Sequence, residues 1–290
     1  MTARILDGKA LAEQVRGRIA EDVAKLRAEH GIIPGLAAVL VGEDPASEVY
    51  VNMKHKACEA AGMYSRQHKL PADTAQEDLE ALIRELDEDD AIDGILVQLP
   101  LPEGLDPQPI QELIVPSKDV DALNPYTAGR LAVGDPTFRA ATPYGVLEIL
   151  QANDIDVSGA EVVIVGRSNL VGRPLSNLLG LKGIDATVTV AHSRTRDLGE
   201  VCRRADILVV AAGRRGLVTA DMVRPGAVVI DVGTNRDENG KLVGDVDFES
   251  TKEVAGAITP VPGGVGPMTV TMLLQNTLEA ARVRHGLPRR

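Results

Sequence analysis

Tryptophan is absent, and two phenylalanines and four tyrosines bring the aromatic content to only 2%. A core must then be built from Ala, Val, Leu and Ile, which suits α/β layers. The same shortage removes the stacking platforms of a single-strand nucleic-acid binder. There is no excess of basic residues either: the formal net charge is −11, which argues against a nucleic-acid partner. Cysteine is nearly missing. Cys58 and Cys202 lie far apart, which excludes a disulfide framework and a thiolate zinc site. His30, His55, His68, His192 and His285 form no H-x-x-x-H pair, so no metal is expected. No apolar run approaches the ~18 residues of a membrane span. The opening residues lack the apolar stretch of a signal peptide. These absences predict a cytoplasmic protein with neither membrane nor nucleic acid as partner. No G-x-S-x-G elbow is present for a serine hydrolase.

What remains is ordinary globular sequence, 44% hydrophobic and 25% charged, and long enough for two domains. Leu11, Val15, Ile19, Val23 and Leu26 recur at helical spacing between Asp7 and Gly31, which predicts a helix over 9–30. Further helices are expected over 46–61 and 74–86, with strands over 36–41 and 94–99, the latter broken by Pro100. Residues 116–136, rich in Pro, Asp and Gly, read as the boundary between domains. Beyond them a helix is expected over 142–153. Strands follow over 161–165, 187–191, 206–211 and 227–232, and helices over 172–181, 198–203 and 269–284. Alternation of this kind predicts parallel sheets with helical crossovers.

Residues 162–175 read as a strand, a glycine turn and a helix start, a natural seat for a pyrophosphate. The glycines Gly166 and Gly172 stand at G-x5-G spacing, so the G-x-G-x-x-G text is only partly met. The next strand carries the cofactor preference. It ends in His192-Ser193-Arg194-Thr195-Arg196, with no carboxylate before Asp197, and Arg167 and Arg173 flank the first turn. A carboxylate at that strand end would accept a ribose 2′-hydroxyl, whereas this set suits a 2′-phosphate, so NADP is expected over NAD.

Tyr50 and Lys54, four residues apart, share one face of an early helix. A lysine partly desolvated beside a ring can lose its proton near neutral pH and act as an acid/base. Gln98, at the end of the expected strand 94–99, could meet it. Asp119 and Asp121 supply carboxylates beside the expected interdomain cleft. The acid run 87–90 reads as a solvated helix end, and Cys58 as a small buried residue.

Five strings stand in one order: Tyr50-Val51-Asn52-Met53-Lys54, Val97-Gln98-Leu99-Pro100, Lys118-Asp119-Val120-Asp121, Gly166-Arg167-Ser168 and Pro262-Gly263-Gly264-Val265-Gly266-Pro267-Met268-Thr269. Over essentially its whole length the chain resembles the bifunctional methylenetetrahydrofolate dehydrogenase/methenyltetrahydrofolate cyclohydrolase family. The resemblance implies a two-domain α/β protein. Residues 1–121 and 270–290 would form a folate domain, 122–269 would form a Rossmann-type NADP-binding domain, and the C-terminal helix would return to the first domain. It also implies two reactions: oxidation of 5,10-methylenetetrahydrofolate by NADP+ to the methenyl cation, then hydrolysis to 10-formyltetrahydrofolate. Lys54 would be the acid/base, tuned by Gln98. Tyr50 would pack along the folate, Asp121 would bind its pterin ring, and Pro262, Gly263 and Gly266 would shape the wall of the site. Gly166, Arg167, Ser168, Ser193 and Thr234 would bind NADP, and a homodimer is implied.

Three positions depart from the family pattern. Ala122 follows Asp121 where Gly is usual. Ala140-Ala141-Thr142-Pro143 stands for Pro-Cys-Thr-Pro, and Thr234 for Ile. The competing readings are a dehydrogenase with weak or no cyclohydrolase activity and a non-catalytic folate- or nucleotide-binding protein. Lys54 with Gln98 argues against both, because a binding module needs no acid/base pair.

Overall fold

In the computed structural model, which describes residues 2–289, the elements run in the order β1 (Arg4–Ile5), α1 (Gly8–His30), β2 (Gly35–Val41), α2 (Pro45–Ala60), β3 (Tyr64–Leu70), α3 (Gln76–Glu88), β4 (Gly94–Val97), α4 (Pro107–Leu113), α5 (Pro125–Ala132) and α6 (Ala141–Ala152). There follow β5 (Glu161–Val165), α7 (Gly172–Leu179), β6 (Thr187–Ala191), α8 (Leu198–Arg203), β7 (Ile207–Val210), β8 (Val228–Asp231), the short pair β9 (Asn235–Arg236) and β10 (Leu242–Val243), α9 (Phe248–Thr251), β11 (Ala257–Ile258) and α10 (Val265–Arg284). Among the described residues no helix is long and apolar enough to cross a membrane.

Contacts divide the chain into two units, Gln14–Ala141 with Val270–Arg290, and Met1–Glu13 with Thr142–Thr269. This differs from the division read in the sequence at two stretches. The first residues group with the second unit because β1 pairs in parallel with β11, Arg4 opposite Ala257. Residues 122–141 group with the first unit because the proline-rich stretch is folded there, not a linker. Asn124 caps α5 by accepting from the Tyr126 N–H, and its amide donates to the carbonyls of Gln111, Glu112 and Ile114 at the end of α4.

In the unit holding Gln14–Ala141, three parallel strands stand in the order β3-β2-β4. The central strand β2 is buried along its whole length, as expected for a parallel strand covered on both faces. The helix α3 lays Leu79, Ile83 and Leu86 against it, one residue per turn. The edge strand β3 was not expected. Its Ser65, Arg66, Gln67, His68 and Lys69 give no apolar run, a composition that blunts an exposed edge. The final helix is fixed within this unit by buried polar contacts. Arg284 donates to Asp93 at 2.6 Å, Asp93 accepts from the Gly35 N–H at 3.0 Å, and the Asn276 amide donates to the carbonyls of Val120 and Arg139 at 2.7 and 2.8 Å.

In the other unit six parallel strands stand in the order β1-β11-β8-β7-β5-β6. The strands β5 and β7 read as unbroken apolar runs because both of their faces are covered; Val163, Ile164, Leu208 and Val210 are fully buried. Strand positions expected over 161–165 and 187–191 coincide with β5 and β6. Those expected over 206–211 and 227–232 lose a residue or two at their ends.

Ala122 occupies the left-handed region, φ 57°, where a Cβ costs about 1–2 kcal/mol. Replacing it with glycine removes that strain and adds back some unfolded-state entropy. Ala122→Gly is therefore expected to stabilise the protein by about 0.5–1 kcal/mol, read as a higher urea midpoint. An unchanged or lower midpoint would show that the strain is absent.

Candidate active site

The buried positions of α2 are Ser47, Val51, Lys54 and Cys58, a single stripe at helical spacing. An ammonium thus stands where the period calls for a leucine. The helix is set at its start by Asp44, whose carboxylate accepts from the Ser47 N–H at 2.8 Å, with Pro45 in its first turn. Lys54 is only 9% exposed, and its Nζ donates to Gln98 Oε1 at 2.9 Å. Gln98 Nε2 donates in turn to the Leu99 carbonyl at 2.7 Å, which fixes the amide with its oxygen toward the amine. The strand expected to reach Leu99 stops at Val97. Gln98 lies one residue beyond, still held by its N–H on the Val39 carbonyl. Tyr50 sits one turn before Lys54, half-buried.

Burial pushes the Lys54 amine below the ordinary lysine range, while the neighbouring Asp121 carboxylate works in the other direction. Asp121 is pushed up by burial and pulled down by Lys54. Both members of the pair are thus drawn toward their neutral forms. Cys58 is buried on the same stripe, and burial pushes its thiol to about 12, so it is no nucleophile.

The residues before Asp121 have roles that the sequence did not reveal. Lys118 is buried, and its ammonium donates to the carbonyls of Leu86, Asp87 and Asp89 at 3.0, 2.7 and 2.8 Å. It therefore caps the C-terminal end of α3 with a cation. Asp119, expected beside a cleft, is 1% exposed and accepts from the backbone N–H groups of Leu123 and Asn124; burial pushes its carboxyl to about 6. The acid run 87–90 is likewise not simply solvated: Asp87 is half-buried on the Val115 N–H, and Asp89 pairs with Arg66 at 2.9 Å.

In the other unit, Gly166 directly follows β5 at φ 134°, and a Cβ there would lie 2.1 Å from the Ala211 carbonyl oxygen. A Cβ on Gly172 would lie 2.1 Å from the Gly166 oxygen. The turn between β5 and α7 is therefore as tight as a phosphate-binding turn must be, with backbone free to approach a ligand. Arg167 and Ser168 are exposed on it. The Ser168 hydroxyl accepts from the Val171 N–H at 3.1 Å, and exposed Arg173 donates to Asn169 at 3.1 Å. After β6 the turn is closed by the Thr195 hydroxyl on the His192 N–H, leaving Ser193, Arg194 and Arg196 exposed and no carboxylate among them. This donor set fits an NADP phosphate. Thr234 is exposed after β8. Pro262 is exposed as well; the Gly263 carbonyl accepts from the Lys9 N–H at 2.8 Å, and Gly266 opens α10.

Sequence reasoning passed over Asp231 and Asp245, both buried in this second unit. The available signal was an acid ending an apolar strand, and an acid directly after Gly244. Among the described residues no group of three or more His, Cys, Asp or Glu is placed to hold a metal.

Comparison with known proteins identifies the family. Residues 6–121 match the family described as Tetrahydrofolate dehydrogenase/cyclohydrolase, catalytic domain, and residues 140–285 match its NAD(P)-binding domain. A protein of Magnetococcus marinus named Bifunctional protein FolD is 54% identical over 285 residues, covering 98% of this chain and 99% of its own length. The crystal structure of the bifunctional enzyme FolD, methylenetetrahydrofolate dehydrogenase/cyclohydrolase, from Campylobacter jejuni superposes with a TM-score of 0.94 at 47% identity, covering 97% of this chain and 99% of that one. That of the Trypanosoma brucei dehydrogenase-cyclohydrolase, complexed with NADP cofactor and inhibitor, gives 0.94 at 39% identity over 99% of both chains. The chain belongs to the tetrahydrofolate dehydrogenase/cyclohydrolase family.

Proposed function

We propose that the protein oxidises 5,10-methylenetetrahydrofolate to the 5,10-methenyl cation with NADP+ and hydrolyses that cation to 10-formyltetrahydrofolate. The observation that carries this reading is the buried Lys54 amine on the oriented Gln98 amide, in a chain of this family. NADP+, when bound, supplies the acceptor for the hydride leaving the methylene carbon. Arg167, Ser168 and Ser193 would hold its phosphates on the backbone turn at Gly166, and Thr234 would lie toward its nicotinamide. Tyr50 would lie along the folate, Asp121 would accept hydrogen bonds from the pterin, and Pro262, Gly263 and Gly266 would wall the site.

The hydrolytic step is where the lysine works. Water adds to the methenyl carbon, and the neutral Lys54 amine takes the proton released. Its lowered pKa makes the neutral form available, and Gln98 Oε1 steadies the ammonium that results. The ammonium then gives the proton to N5 as the carbon–N5 bond breaks, while the hydroxyl proton leaves to solvent as the formyl C=O forms. Water enters, one proton is released, and the amine is restored.

The same reading carries a homodimer in the cytoplasm, with no nucleic acid as partner, in keeping with the net charge of −11. Sedimentation at micromolar concentration is expected to give twice the mass of the chain; a monomer would remove the dimer from the reading.

Lys54→Met is expected to lower methenyl hydrolysis by about 100-fold or more, the range of a lost general acid/base, while NADP+ still binds in calorimetry. Full hydrolysis in that variant would remove Lys54 from the mechanism. Following reduced nucleotide and methenyl absorbance together with NADP+ or NAD+ tests the cofactor preference. Turnover with NADP+ is expected to exceed that with NAD+ by roughly tenfold or more. Arg167→Ala should reduce kcat/KM for NADP+ and leave that for NAD+ nearly unchanged; equal losses with both would deny Arg167 the 2′-phosphate.

A further inference from the structure

In the six-stranded sheet, the chain passes from β5 outward to β6 and then crosses back to β7 on the other side of β5. The connections leaving β5 and β7 therefore diverge, and ligands of open parallel sheets bind in the crevice at the carboxyl ends of such strands. Two backbone segments line that point: the turn at Gly166, and Ala211, Ala212 and Gly213 directly after β7. The Ala211 N–H donates to the Val165 carbonyl at 2.8 Å, so the two segments are in contact.

Ala211, Ala212 and Gly213 after β7 belong to no strand, and the segment after β8 is paired only from Asn235, in the short ribbon of β9 and β10, yet both are tied to one side chain. Asp245 is fully buried; its Oδ2 accepts from the N–H groups of Ala212 and Gly213 at 2.6 and 2.8 Å, and its Oδ1 accepts from the Asn235 amide at 2.8 Å. Asp245 is itself held by Asp231 at the end of β8. The Asp231 Oδ1 accepts from the N–H groups of Gly233 and Asp245 at 2.9 and 3.0 Å, and its Oδ2 accepts from that of Val246 at 3.0 Å. Space is cleared for both acids. A Cβ at Gly244 would lie 1.7 Å from Asp231 Oδ2, and one at Gly233 would lie 2.4 Å from the Asp245 carboxylate. Two adjacent buried carboxylates are an expensive way to hold a fold, since an apolar pair would fill the same space. Here every named hydrogen bond to their oxygens comes from the loops at the sheet's carboxyl edge.

We propose that Asp245 is a positioning residue of the nucleotide site: its buried carboxylate joins the loop after β7 to the segment after β8 and sets the crevice that receives the dinucleotide. It touches no ligand in this account. It works through the N–H groups of Ala212 and Gly213 and through Asn235, which follows Thr234. The inference rests on nucleotide binding by this unit and deepens that reading.

The test uses the full chain, with Asp245→Ala and Asp245→Asn beside the natural protein. NADP+ affinity is measured by calorimetry, and KM for both substrates is measured in the coupled assay. In Asp245→Ala, the N–H groups of Ala212 and Gly213 lose their shared acceptor, and the Kd and KM for NADP+ are expected to rise by about tenfold or more while KM for the folate changes by less than about twofold. Asp245→Asn keeps one oxygen for the Ala212 and Gly213 N–H groups and should fall between the two. It carries the test alone if the alanine variant does not fold. An unchanged Kd for NADP+ in both variants, or equal loss of affinity for nucleotide and folate, would overturn the proposal, the latter by showing a merely structural acid. Natural protein that binds NADP+ but reduces none would overturn the proposed reaction and leave the affinity comparison to decide the role of Asp245. Natural protein that binds no NADP+ overturns both.

Discussion

An amine taken out of water must find an acceptor, and in this protein the burial of one amine governs the arrangement around it. Lys54 occupies the apolar face of its helix, where packing alone would select an aliphatic chain. Gln98 meets it with an oxygen, and a backbone carbonyl keeps that amide from turning its nitrogen toward the amine. A neutral acceptor steadies the ammonium without fixing it, which a carboxylate in the same place would do. Burial lowers the pKa of the amine and Gln98 accepts its proton in a hydrogen bond, an arrangement in keeping with the proton-transfer role proposed for Lys54.

The carboxylate opposite this amine is aimed by its neighbours. Lys118 fastens the preceding residues to the end of α3, Asp119 fastens those that follow to the start of α5, and the peptide between Val120 and Asp121 is held through its carbonyl by Asn276. Asp121 stands between these ties with its own oxygens left for other work. Ala122 takes the left-handed turn that ends the segment, a conformation that glycine would adopt without strain. The structure thus bears a small local cost directly after the carboxylate that neighbours Lys54.

Much of this was legible beforehand, and the misses share a cause. The long periodic helices and the continuous apolar strands were readable because their signals repeat. The edge strand β3 and the two-residue β1 were not, since neither is long or apolar enough to show a period. Lys54 with Gln98 could be named as a pair because the family resemblance implies both. The roles of Lys118 and Asp119 could not, because their partners are backbone groups as far away as Leu86 and as close as Leu123, and no residue type marks a backbone group that lacks a partner. Asp231 and Asp245 were hidden for the same reason. The stretch 116–136 misled because Pro125 begins the helix α5, capped by Asn124, instead of separating domains.

The last helix bears on how the molecule is made. The unit with Lys54 begins near residue 14 but is fastened by Asn276 and Arg284, so a ribosome must synthesise all of 142–269 before those ties can form. Until then Asp93 lacks its arginine, and the carbonyl beside Asp121 lacks its amide donor. Closing so long an excursion costs little more entropy than closing a shorter one. The consequence is one of timing: the ties that hold Asp93 and the carbonyl before Asp121 form only after the other unit's entire sequence has emerged, so a nascent chain cannot make them ahead of that unit.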